Sequence, residues 1–228
     1  QTTLKKSMKV LALIPAYNEE QTLGEVLKHT APHVDAIIVV NDGSSDRTAL
    51  IAQTHGVHVV SHVINRGLGA AIGTGFAAAK KLNADMVVTL DADGQHDAAE
   101  IPKFVEAIEG GADVVIGSRM LTRTGIPWYR QVANLLGNLV TFFLFGAWVT
   151  DSQSGFRAFN AHALSKIEIK TNRMEVSSEL IAESRRNQLN LVEVSIKAIY
   201  TDYSLSKGQS FFVGIKTLLK LVLKRISE

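Results

Sequence analysis

The chain alternates between short apolar runs and longer amphipathic stretches. Val10 to Ile14, Ala36 to Val40, Val57 to Ser61, Val87 to Leu90 and Asp113 to Ile116 are short runs rich in Val, Ile and Leu. Runs this continuous suit strands buried on both faces, the pattern of a parallel sheet. Between them lie segments with helical character. One follows Asn18, placed as an N-cap ahead of Glu19 and Glu20, whose charge suits a helix start. A second is capped at Ser44 or Ser45 and runs to about Gly56. A third, of small residues, ends near Leu82, and a fourth covers Ala98 to Glu109. Strands alternating with helices over the first ~117 residues predict a doubly wound, mainly parallel central sheet flanked by helices.

The second half changes character. Trp128 to Val149 has helical apolar spacing and is nearly all apolar from Leu139 onward. It fits either a core helix or a face that meets lipid. Asp151 to Arg157 is a polar turn between apolar segments. Met174 to Arg186 carries Glu175, Glu179 and Glu183 on one helical stripe, which by default is a solvated face. Leu191 to Ile199 alternates as a strand does. Phe211 to Ile226 is an amphipathic helix, with Lys216, Lys220 and Lys224 opposite its apolar face. Such a helix packs on the domain or lies in an anionic membrane interface. The organisation expected is a tail or expression scar over residues 1–9, with Met8 as a native start, then one domain over 10–205. A basic C-terminal helix follows over 206–228 and is a candidate for membrane association.

Composition narrows the function classes. The chain has 228 residues, 46% hydrophobic and 20% charged, with net charge +2. That balance gives no broad polybasic surface and no case for nucleic acid. The absence of cysteine excludes disulfides, thiolate metal sites and Cys nucleophiles. No apolar run approaches the roughly 20 residues that span a bilayer. Gln1 to Lys9 is polar and basic and does not read as a signal peptide. The expected location is cytoplasmic, peripheral on the cytoplasmic face of a membrane.

Ligands of open α/β sheets sit beyond the carboxyl ends of the strands. Four such ends carry polar groups. The run Val87 to Leu90 ends in Asp91-Ala92-Asp93-Gly94-Gln95-His96. Two carboxylates one residue apart repel each other, and a hard divalent cation removes that cost, with Gln95 adding an amide oxygen. The bland alternative is an Asp-rich turn with Gly94 at positive φ. Val10 to Ile14 ends in Pro15-Ala16-Tyr17-Asn18-Glu19-Glu20, where a tyrosine ring can stack on a flat ligand or simply fill a turn. The second strand ends at Asn41-Asp42-Gly43-Ser44, where Asp42 can accept from a nucleobase edge or form an Asx turn. Asp113 to Ile116 ends at Gly117-Ser118-Arg119. After the third strand, Asn65-Arg66-Gly67-Leu68-Gly69 has neither the P-loop nor the dinucleotide glycine spacing. Its glycines suit close packing, under a ligand or within the protein.

In this order and spacing, those stretches together with Asp151 through Arg157 resemble family-2 glycosyltransferases with the A-type nucleotide-sugar fold. The resemblance covers Val10 to about Arg157 and falls in the dolichyl-phosphate mannose and glucose synthase branch. It implies that residues 10–205 are a single nucleotide-sugar-binding catalytic domain. Pro15, Ala16, Tyr17, Glu19, Asp42, Gly69, Asp91 and Asp93 would bind the nucleotide sugar. Asp91, Asp93 and Gln95 would hold Mg²⁺ or Mn²⁺. Arg119 and Arg130 would face the acceptor phosphate. Lys207, where relatives often carry Arg nearby, is a third candidate. Many relatives continue into transmembrane helices after this domain.

The reaction implied is inverting transfer of a hexosyl group from a UDP- or GDP-sugar to a polyprenyl or dolichyl phosphate in a membrane. Asp93, Arg119 and Arg130 would carry it, and the expectation leans to a UDP-sugar. Two alternatives stand beside it. Transfer to a soluble or glycan hydroxyl needs a general base, for which Asp151 is the candidate. A non-catalytic nucleotide-sugar-binding protein would bind without turnover. A nucleotidyltransferase is disfavoured, because Pro15-Ala16-Tyr17-Asn18 stands where its Gly-rich basic loop would be. The sequence leaves the oligomeric state open.

Overall fold

The structure is a computed structural model that describes residues 8–122, 134–136, 138–139, 142, 148–197 and 199. Most of the stretch from Trp128 to Val149, the helix expected over Phe211 to Ile226, Arg130 and Lys207 lie outside the described residues. Among the described residues, seven strands form one sheet: β1 (Val10–Ala16), β2 (Ala36–Asn41), β3 (His58–Ser61), β4 (Met86–Thr89), β5 (Val114–Ser118), β6 (Arg157–Asn160) and β7 (Leu191–Ser195). Their order is β3-β2-β1-β4-β6-β5-β7. The main helices are α1 (Leu23–Thr30), α2 (Thr48–Thr54), α3 (Leu68–Lys81), α4 (Ile101–Glu109), α5 (Ala161–Lys166) and α6 (Val176–Arg186).

The continuous apolar runs are explained by burial on both faces. Along β1, Val10, Ala12 and Ile14 face a core shared with α1, α2 and α4. Leu11 and Leu13 face the opposite core, under α3, α5 and α6. The same alternation splits Ile37 and Val39 from Ile38 and Val40 on β2. A period of two on a sheet covered on both sides leaves little room for polar residues before the strand ends, where Asn41, Thr89 and Ser118 are buried.

The sheet is mainly parallel, as expected, with one antiparallel strand among the described residues. β6 runs antiparallel to both neighbours, β4 and β5. Only four residues long, it begins at Arg157, and its Arg-Ala-Phe-Asn offers no apolar run, so periodicity could not find it. Its two middle residues, Ala158 and Phe159, are fully buried all the same. The insertion parts β4 from β5 and brings the turn that precedes β6 to the sheet edge between them. The strand expected from Leu191 to Ile199 ends at Ser195.

Two helix caps also differ. α1 starts at Leu23, later than the acidic residues suggested. Asn18 sits instead at φ +53. Its amide oxygen accepts from the Ser45 N–H at 2.9 Å, and its own N–H donates to Ser44 Oγ at 3.0 Å. A polar side chain that tolerates the left-handed region thus ties two strand-end loops together. At α2 the capping group is Asp46, which accepts from the Thr48 N–H at 2.9 Å, rather than Ser44 or Ser45. Glu179 on α6 is not a solvated stripe residue. It accepts from Lys170 N–H at 2.9 Å and Thr171 N–H at 3.0 Å. That carboxylate holds the loop whose Thr171 and Asn172 carbonyls lie over Gly69 and Gly67 at the start of α3.

Two predictions follow from this packing. A Cβ at Gly75 of α3 would come within 2.1 Å of a Leu13 methyl on the central strand. Gly75→Val is therefore expected to lower unfolding stability by roughly 1–3 kcal/mol, read as a shift of the urea midpoint. At Asp46, partial burial works to raise the carboxyl, but hydrogen bonds from Thr48 and Glu20 outweigh it and hold it below its usual 3.8. A depressed folded-state pKa stabilises above the unfolded value and is lost as pH falls through the folded one. Asp46→Asn should therefore destabilise the protein at pH 7 and make less difference below about pH 3.8, as measured by urea unfolding at the two pH values.

Candidate active site

The carboxyl ends of β1, β2, β4 and β5 and the amino end of β6 share one edge of the sheet. Asp91 and Asp93 follow β4 there, as the sequence pattern expects. Asp91 Oδ2 is 2.9 Å from His96 Nε2. The His96 ring is nearly fully buried, while 41% of the Asp91 side-chain surface stays open. The carboxylate thus sits on the crowded floor of an open cleft. Burial works to raise its pKa, but His96, Arg119 and Arg157 outweigh that and lower it. Asp93 behaves oppositely: burial and the adjacent Asp91 charge push it up. Gln95 lies against it, donating its backbone and side-chain N–H groups to Asp93 at 3.0 and 2.7 Å.

This donor set fits a hard cation. One carboxylate is held ionised, and the other is raised by like charge that a cation would neutralise. Among the described residues, no three His, Cys, Asp or Glu side chains are grouped to cage a metal. The pair is therefore suited to an ion that completes its shell from phosphate oxygens and water, as Mg²⁺ commonly does.

The turn before β6 reaches both neighbours. A Cβ on Gly155 would fall 2.5 Å from both carboxylate oxygens of Asp91, so only glycine leaves that carboxylate its place. At the other end of the turn, Asp151 is fully buried and binds Arg119 in a two-pronged pair, Nε to Oδ2 at 2.7 Å and Nη2 to Oδ1 at 2.9 Å. The Arg119 backbone N–H also donates to Oδ2 at 3.2 Å. Losing either partner of such a pair strands a buried charge, at roughly 3–5 kcal/mol. Both oxygens of Asp151, the expected general base, are committed to a guanidinium and closed to solvent.

Arg157 closes the floor. It is buried and donates to the Ser154, Ser177 and Ser152 carbonyls at 2.8, 2.9 and 2.6 Å. Burial pushes its guanidinium down to about 10, against the pull of Asp151 and Asp91, so it stays cationic at neutral pH. Ser154 Oγ, buried without a protein partner, lines a small cavity beside Asp91, Gly155 and Arg157.

The nucleotide-side candidates divide. Tyr17 is half exposed beside this edge, and Pro15 lines the small cavity. Ala16 is buried. Asp42 is buried too, and its oxygens are spent inside the protein: Oδ1 on His62 Nδ1 at 2.6 Å and Arg66 N–H at 2.9 Å, Oδ2 on Gly67 N–H at 2.7 Å. It clips the loop that leads into α3. At Gly69, Thr171 O occupies the place of a Cβ, so packing requires that glycine. Sequence reasoning gave no role to His96, Gly155 or Arg157. All three stood inside stretches singled out for other residues, and only contacts between distant turns reveal what they do.

A three-layer α/β/α domain with this paired-carboxylate edge is a glycosyltransferase of the A-type fold. The chain belongs to glycosyl transferase family 2, whose sequence pattern matches residues 12–168. It falls in that family's dolichyl-phosphate sugar synthase-like branch. A UDP-N-acetylglucosamine–dolichyl-phosphate N-acetylglucosaminyltransferase of Methanococcus voltae is 35% identical over 96% of this chain and 97% of its own length. A polyprenol monophosphomannose synthase of Mycolicibacterium smegmatis is 31% identical over 90% of this chain and 83% of its own. In fold, the chain is similar to Mycobacterium tuberculosis glucosyl-3-phosphoglycerate synthase, solved with Mn²⁺, UDP and phosphoglyceric acid. That match has a TM-score of 0.71 at 23% identity, over 94% of this chain and 78% of the other.

Gly155→Ala is expected to leave the melting temperature nearly unchanged, because the obstructed neighbour is a movable carboxylate. Glycosyl transfer should fall about a hundredfold, the scale of an ångström-sized misplacement in a reacting site. Steady-state kinetics beside a thermal melt checks both.

Proposed function

We propose that the protein transfers a hexosyl group from a nucleotide diphosphate sugar, a UDP-sugar first, to a polyprenyl or dolichyl phosphate. A phosphate oxygen of the acceptor attacks the anomeric carbon as the bond to the diphosphate oxygen breaks. The nucleoside diphosphate leaves with the electron pair, and the anomeric centre inverts.

One observation carries this reading: the acidic group next to the acceptor cation, Asp151, is locked on Arg119 and buried. A hydroxyl acceptor needs a base there. A phosphate, with a second pKa near ~6, is already an anion at neutral pH and needs none. What it needs is positive charge, for which Arg119, Arg130 and Lys207 are the candidates. The printed activities of the Methanococcus and Mycolicibacterium relatives, on dolichyl phosphate and polyprenol monophosphate, support the same acceptor class.

Tyr17 stacks on the nucleobase, and Pro15, Ala16 and Glu19 frame the nucleoside. Asp42 and Gly69 act indirectly, by fixing the loop and helix start beside it. Asp91, Asp93 and Gln95 would hold Mg²⁺ or Mn²⁺, whose charge offsets that on the leaving diphosphate. The protein works at the cytoplasmic face of a membrane, with the basic segment over 206–228, expected as a helix from its sequence, as an anchor. In support, Leu135, Leu136, Phe142 and Trp148 expose apolar surface in the stretch expected as either a core helix or a face that meets lipid. No helix of the described residues is long and apolar enough to cross a membrane.

The test begins with thermal shifts of the full chain against UDP- and GDP-sugars, with and without Mn²⁺. Transfer of the stabilising sugar to a polyprenyl phosphate in liposomes follows. Asp93→Asn should cost at least about 10²-fold in that transfer while leaving the fold intact. Transfer to a soluble hydroxyl acceptor, with none to the lipid phosphate, would overturn the proposal.

A further inference from the structure

Thr150, Asp151 and Ser152 form the short turn that presents the Arg119 anchor. Three side chains from elsewhere hold its backbone. Glu193, on β7, takes the Thr150 N–H at 2.9 Å, the Thr150 hydroxyl at 2.8 Å and the Asp151 N–H at 3.3 Å on one carboxylate oxygen. Its other oxygen takes the Thr150 N–H at 3.0 Å. Asn134 and Asn138 both donate to the Thr150 carbonyl, at 2.7 and 2.6 Å. Asn138 also accepts from the Ser152 N–H at 3.1 Å. The Thr150 hydroxyl lies 2.6 Å from Ser118 Oγ, one residue before Arg119.

This is more restraint than a turn of three residues needs in order to fold. A carboxylate aimed at backbone N–H groups beside a second, buried carboxylate adds like charge to a site that already costs desolvation. The arrangement is understandable if the position of Asp151, and through it of Arg119, has to be held tightly. We infer that Glu193, with Asn138, is a positioning residue for sugar transfer: it sets the Asp151–Arg119 pair against the acceptor phosphate. Glu193 does not touch substrate. β7 pairs with β5, Ser195 lying opposite Ser118, so Glu193 reaches the turn from the strand beside the one that carries Arg119. This inference rests on the acceptor assigned to Arg119 above.

Glu193→Ala is expected to raise KM for the lipid phosphate about tenfold while changing kcat little. The thermal shift given by the nucleotide sugar with Mn²⁺ should be retained. Glu193→Gln, which keeps an oxygen for the Thr150 N–H, should recover most of the loss and guards against a misfolded alanine variant. Because Glu193 acts through Arg119, the Glu193→Ala, Arg119→Ala double variant should be no weaker than Arg119→Ala alone. A role confined to stability would multiply the two losses instead. An unchanged acceptor KM, or losses that multiply, overturns the inference. A readout without substrate separates this failure from that of the proposed reaction. The side-chain Nε–H resonance of Arg119, assigned by its disappearance in Arg119→Lys, should shift and exchange faster in Glu193→Ala. If the wild-type protein glycosylates no lipid phosphate, the proposed function falls and this resonance alone decides: movement upholds the positioning role, and an unmoved, protected signal ends it.

Discussion

The site depends on one buried ion pair and on the strand that brings it there. β6 enters the sheet against the direction of its neighbours, so the turn before it arrives at the edge where β4 and β5 end. At one end of that turn Gly155 lies against Asp91, and at the other Asp151 grips Arg119. Without the insertion, the groups after β4 and those after β5 would belong to adjacent parallel strands with nothing between them. With it, the anionic and cationic halves of the site are spaced by a rigid turn.

The edge carries more acid than base before any ligand binds. Asp91, Asp93 and Asp151, with Glu19 and Glu193 close by, face Arg119 and Arg157. Asp151 spends its charge on Arg119, and Arg157 is solvated by three carbonyls, with Asp91 and Asp151 within its electrostatic reach. The unresolved tension is at Asp93, whose carboxyl is raised by burial and by Asp91. A site built this way favours a cation at the paired carboxylates and tolerates an anion over the arginines. Those are the two halves of a transfer between a diphosphate and a phosphate.

Much of the fold was legible in the chain. The five strands of the first half appear where the apolar runs stand, because burial on both faces of β1, β2, β4 and β5 disfavours polar interruptions there, while β3 is a half-buried edge strand. The Asp91/Asp93 pair was legible for the same reason: carboxylates after a buried run must lie at its end. The missing pieces were of two kinds. Some were too short to carry a period, such as β6. Others were polar residues whose partners lie far off in sequence. Asp42 meets His62 and the 66–67 backbone, and Glu179 holds the 170–171 loop rather than facing water. No local pattern distinguishes an acidic residue that caps a distant loop from one that is solvated.

The sequence by itself determined the layered α/β architecture, the strand-end location of the chemistry, and the order of motifs that marks a family-2 glycosyltransferase. Those properties are periodic or local, and they survive reading along one dimension. Only the tertiary structure showed that Asp151 pairs with Arg119, that Gly155 leaves room for Asp91, and that Glu193 reaches the Asp151 turn. The reason is physical: the role of a buried charge is set by what lies within about 3 Å of it, and those neighbours come from strands that the chain order does not place side by side.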